Sequence, residues 1–177
     1  MKNIYIDGDN NPGICTQGIE YLNAEDYVKI FYASGNAYYA SEKNRTKLMK
    51  NCEAKLEFIK MDSGKNSVDF AVAVEAALDI KSAVVGDVFL ISGDRHFSSV
   101  AIALKRKIDN CPPIFCVRTI ADAIASCAYQ AESLKDVCDI LCLKFGEDAG
   151  TAFYNRIDEL QRIKFAKKCF FHKFPQK

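Results

Sequence analysis

Short apolar runs alternate with longer stretches of helical spacing along most of this chain, and that alternation restricts the fold more than any other feature. Runs at 3–7, 27–32, 55–61, 88–92 and 114–118 read as strands, and stretches at 14–23, 37–52, 68–81 and 98–108 read as helices. Strands separated by helices imply right-handed crossovers and a parallel sheet covered on both faces. From residue 120 onward the pattern is helical only, with breaks near 132–133 and 146–150. The expected architecture is a three-layer α/β/α domain over 1–130 with a central, mostly parallel five-stranded sheet. Residues 131–177 are expected to form a helical extension with a basic C-terminal tail.

Composition narrows the class. Hydrophobic residues make up 49% of 177, enough for one conventional core. No apolar run approaches the ~20 residues that span a bilayer, and MKNIYIDGD has no cleavable signal pattern. A cytoplasmic protein with no membrane partner is expected. The eight cysteines include no CxxC pair and have only two histidines to join them, which supports reduced thiols over a zinc site. The net charge of +1 conceals an asymmetry. From Arg162 to the end there are six Lys/Arg and no acid, leaving 18 basic against 23 acidic residues before it. Phe165, Phe170, Phe171 and Phe174 are interleaved with those charges. The segment reads equally well as a phosphate-contacting, base-stacking tail or as an amphipathic helix packed on the domain.

The chemistry is expected at the carboxyl ends of the strands, where sites in such sheets lie. The first strand ends in Asp7-Gly8-Asp9-Asn10-Asn11 and the fourth in Ser92-Gly93-Asp94. Asp is also an ordinary turn and N-cap residue, so neither aspartate is decisive alone. Asp69 is more telling. Its helix is apolar nearly all round and is expected to be buried. Glu75 and Asp79, spaced i,i+4, share a face expected to be solvated. Asp69 points elsewhere, on a face continued by Val72, Ala73 and Ala76. A carboxylate there is costly unless compensated. The helix N-terminus with Ser67 as cap would do so; so would a divalent cation shared with Asp7 and Asp94. Three acids of this kind suit Mg²⁺ or Mn²⁺.

Three blocks, IYIDGDNN (4–11), GKNSVDFAVAVEAAL (64–78) and VFLISGDRHF (88–97), resemble the PIN-like nucleases, especially the NYN and LabA-like branch and related bacterial proteins. The resemblance covers roughly residues 1–120. It implies a parallel sheet between helices, a divalent metal and phosphodiester hydrolysis, usually of RNA, single-stranded or structured. Asp7, Asp69 and Asp94 correspond to the metal-binding and catalytic acids. Asn10 matches an Asn that positions substrate or the first acid, and Ser92 matches the serine of the turn. Lys65 and Asn66 match a Lys-Asn pair before the helix acid, where Lys65 would contact phosphate. Arg95, Arg118 and the tail lysines would guide the strand, on turn position and charge. Two positions depart from the pattern: a second acid after the turn aspartate is replaced by His96, and a second helix acid would fall at Glu75, on another face from Asp69. With Asp9, these form an uncertain outer set.

A metal-dependent endonuclease for single-stranded RNA is therefore the leading expectation, with self-association left open. The alternative is a catalytically weak or inactive module of the same fold that binds RNA or protein. A third reading treats Asp7-Gly8-Asp9 as the DxD of a haloacid-dehalogenase-like phosphatase, which gives Asp69 no role.

Overall fold

The computed structural model describes residues 1–62, 64, 66–82, 86–127 and 134–161. It divides into two compact units, Met1–Ala123 and Ile124–Lys177. The boundary expected at 130/131 and the basic tail from 162 lie outside the described residues.

The first unit is built on five strands, β1 (Lys2–Asp7), β2 (Tyr27–Ala33), β3 (Lys55–Met61), β4 (Asp87–Ile91) and β5 (Ile114–Val117). All four pairings are parallel, in the order β3-β2-β1-β4-β5. The order reverses at β1, which receives β2 on one side and β4 on the other. Such a switch point opens a crevice beyond the carboxyl ends of the two central strands.

Side chains alternate along each strand, so each strand supplies both faces of the sheet. Tyr5, Phe31, Val88, Leu90 and Ile114 form one core with Val68, Val72, Ala76 and Ile80 of α3 (Ser67–Lys81) and Phe97, Ala101 and Leu104 of α4 (His96–Lys107). On the opposite face, buried Tyr39 of α1 (Ala37–Ala40) contacts the rings of Tyr32 and Phe58, and Arg45 of α2 (Glu42–Lys50) lies 6.0 Å from the Phe58 ring. The expected layered α/β/α architecture is thus present, and its sheet is wholly parallel.

The helices differ from expectation in instructive ways. Residues 14–23 form turns and a short 3-10 segment, Ile19–Tyr21, behind Gly18 at φ 93°. The stretch 37–52 is broken in two at Ser41, whose ψ of 117° is extended. The helix α3 is not buried all round, because Phe70, Val74 and Leu78 are exposed. Glu75 and Asp79 are not on its solvated side either. Lys29 from β2 is almost buried, and its Nζ donates to Glu75 Oε1 at 2.5 Å and to Asp79 Oδ2 at 2.8 Å. The Tyr5 hydroxyl also donates to Asp79 Oδ2, at 2.7 Å. Apolar packing and this charged clamp together hold α3 on the sheet.

The helix α5 (Ile120–Ser126) straddles the division between units. In the second unit, α6 (Leu134–Phe145) and α7 (Glu147–Gln161) pack together. The break expected over 146–150 falls at Gly146 alone, at φ 86°. Gly150 continues α7 and lets its backbone meet Cys142: a Cβ on Gly150 would lie 2.4 Å from Cys142 Cα. No described helix is long and apolar enough to cross a membrane.

Candidate functional site

Period two along β1 places Asp7 on the same side as Tyr5, the side covered by α3. Asp7 is therefore nearly buried at the sheet's carboxyl edge. In β4 the same period carries Val88 and Leu90 to Ser92, which faces Asp7 from the neighbouring strand. The Ser92 hydroxyl donates to Asp7 Oδ2 at 2.8 Å and accepts from the Asp94 backbone N–H at 3.0 Å. One buried hydroxyl thus positions both aspartates.

Asp69 occupies the first turn of α3, and Asp94 lies just ahead of α4. A cleft of about 220 Å³ brings them together, lined by Asp7, Asp9, Asn10, Gly64, Asn66, Ser67, Val68, Asp69 and Asp94. No cationic side chain stands among these lining residues. The electrostatic result is visible in two of the acids. Burial raises the Asp7 carboxyl above its ordinary range, and the nearby Asp69 charge adds to this, while the Ser92 hydrogen bond opposes it. Burial likewise raises Asp69, with Asp94 the next cause. Converging carboxylates that repel one another in this way favour either a proton or a cation.

The turns around these acids are closely built. Asn10 Oδ1 accepts from the Gly93 N–H at 3.2 Å, joining the β1 turn to the β4 turn. Gly93 is needed for that approach, since a Cβ would lie 2.6 Å from Asn10 Oδ1. Asp9 accepts from the Ala33 N–H and from Asn36 Nδ2 at 2.7 Å, so it ties β1 to the end of β2. That engagement gives Asp9 a structural role, whereas the phosphatase reading needs it as a proton donor. Asn36, which the sequence reading did not single out, also donates to Gly8 O and caps α1 by accepting from Tyr38 and Tyr39 N–H. A Gly-Asn pair before an apolar helix was the available signal.

The remaining expected residues separate. Asn66 lines the cleft and is the N-cap of α3, in the left-handed region at φ 61°. Ser67 is not the cap; its hydroxyl donates instead to Asp62 O. Glu75 belongs to the Lys29 clamp and not to the cleft. His96 is exposed, with Nδ1 3.2 Å from Asp94 Oδ1 and its backbone N–H donating to the same oxygen. Arg95 is exposed at the start of α4, and neither it nor Arg118 lines the cleft. Lys65 lies outside the described residues.

The donors here are oxygens of three or four carboxylates and an amide, a set suited to hard Mg²⁺ or Mn²⁺ rather than zinc. Among the described residues, no three acids, histidines or cysteines close around one point as a finished coordination sphere. The acids line a cleft, which suits an ion that keeps part of its water shell.

The sequence model of one protein family, described as the NYN domain, matches residues 3–112. That span runs from β1 through α4 and contains all four aspartates that line the cleft. No curated protein and no solved structure matches the chain.

Proposed function

The chain belongs to the NYN domain family, a PIN-like group of nuclease-like domains, and on that footing we propose that it is a divalent-metal-dependent endonuclease for single-stranded RNA. One observation supports the reading above others: Asp7, Asp9, Asp69 and Asp94 line a single cleft with no cation among its described lining residues.

Asp7, Asp69 and Asp94 would hold Mg²⁺ or Mn²⁺, directly or through water. Such an ion supplies an activated water and offsets the charge that grows on a phosphodiester. Ser92 keeps Asp7 and Asp94 in register. Asn10 joins the two turns through Oδ1, which leaves its amide nitrogen as the group that would face a scissile phosphate. Lys65 and the basic segment 162–177 would supply phosphate contacts by charge.

The test is cleavage of single-stranded RNA and DNA in Mn²⁺ by the wild type and Asp94→Asn. RNA cleavage by the wild type that falls by at least ~100-fold in the variant supports the reading; equal cleavage by both overturns it. The open arrangement of the acids favours a second reading, a module of the same fold that binds RNA without cutting it. RNA binding indifferent to EDTA, with no cleavage in Mn²⁺, would establish that alternative.

A further inference from the structure

The outer face of α3 gathers three large exposed hydrophobic residues on one helix. Phe70 is 68% exposed, Val74 56% and Leu78 59%. At 100° per residue, Ser67, Phe70, Val74, Leu78 and Lys81 fall within about 80° of arc, flanked by Ala71 and Ala77. A run of large apolar side chains on one face of a surface helix marks a contact surface.

The order of residues along this face identifies the occupant. About a two-fold axis at Val74, an antiparallel second copy sets Val74 against Val74, Phe70 against Leu78, and Ala71 against Ala77. Each large residue then meets an apolar partner, and the small pair allows the axes to approach to about 8 Å. The polar ends also match. Lys81 is exposed and makes no ion pair among the described residues. The same axis places it opposite Ser67, which lines the acidic cleft.

We propose that this protein forms an isologous dimer through the outer face of α3, with Lys81 of each copy brought to the rim of the other's acidic cleft. The contact is self-complementary, as a two-fold interface must be. A single helix face is small by the standard of stable interfaces of about 1,200–2,000 Å², so the dimer is concentration-dependent.

Sedimentation equilibrium of the full chain tests this and reads mass rather than cleavage, so its failure is distinct from failure of the nuclease reading. The wild type is expected to dimerise in the micromolar range. Val74→Asp, which sets like charges on the axis, weakens the dimer at least ~10-fold. Phe70→Asp and Leu78→Lys each weaken it too. Combined in one chain they restore it, because the new charges meet across the axis and lie two turns apart within a copy. Lys81→Glu weakens it more at low salt than at high salt. Circular dichroism confirms that each variant is folded; any that is not is replaced by Leu78→Gln. A wild type monomeric at several hundred micromolar overturns the proposal. So does a dimer indifferent to these substitutions, or a double variant no tighter than either single one. A monomer that dimerises only after removal of 162–177 also overturns it, assigning the face to the tail.

Discussion

At the scale of single residues, the site depends on how few groups hold its acids. Ser92 carries the clearest consequence. Its hydroxyl lowers the Asp7 carboxyl against the upward pull of burial, and it also fixes the Asp94 backbone. Ser92→Ala removes both effects. Asp7 then rises further, so it stays protonated to a higher pH. The acid limb of a cleavage profile should move to higher pH, with activity at neutral pH down about 10-fold and the fold intact by circular dichroism. An unchanged acid limb would show that Asp7 is not the group titrating. The aspartates themselves were legible in the sequence, because a strand running into Asp-Gly or Gly-Asp announces its carboxyl end. The Ser92 hydrogen bond to Asp7 and the Asn36 bonds to Gly8 and Asp9 were not. They join residues 85 and 27–28 positions apart, and local spacing holds no trace of such pairs.

Elements show where periodicity suffices and where it fails. The five strands emerge within a residue or so of expectation because each is an unbroken apolar run between turn residues. The fate of α3 was harder to read. Its composition is apolar on every side, and only tertiary structure distinguishes a core face from an open one. The charge of Lys29, placed beneath the helix, decides that Glu75 and Asp79 turn inward. Lys29→Met leaves those two carboxylates without their cation, while the Tyr5 hydroxyl keeps its bond to Asp79. As both acids remain about a third exposed, a loss of about 1–3 kcal/mol is expected in urea unfolding. A neutral result would mean that apolar packing alone seats α3. In the second unit, Gly150 misled for a related reason: glycine signals a break locally, yet here it permits contact between helices. Gly150→Ala gains about 1 kcal/mol of intrinsic propensity but forces a Cβ to within 2.4 Å of Cys142 Cα. Net destabilisation is expected, read as faster amide exchange in α6 and α7; slower exchange would mean that the helices separate freely.

For the whole molecule, the acidic cleft should make stability depend on pH and on metal in opposite senses. Asp7 and Asp69 have raised folded-state pKa values, so the folded chain retains protons that the unfolded chain has already released. In EDTA their ionisation therefore disfavours folding above the folded pKa. That penalty is relieved as pH falls from neutral through the raised value toward the ordinary carboxylate range. Saturating Mn²⁺ should reverse the trend, since it binds the deprotonated acids; at 100 times its Kd it contributes about 2.7 kcal/mol. Thermal melts at pH 7 and pH 5, with EDTA or Mn²⁺, give the comparison, and Asp7→Asn isolates the contribution of that one acid. If Mn²⁺ leaves the melting temperature of the wild type unchanged, the cleft does not hold this ion. The strand order has a separate consequence for redesign. All the cleft's carboxylates come from the carboxyl ends of β1 and β4 and from one crossover helix, while the border strands β3 and β5 donate none. Insertions beyond those borders could therefore change what reaches the cleft without disturbing its chemistry, leaving the margins of this sheet open to variation and its centre closed to it.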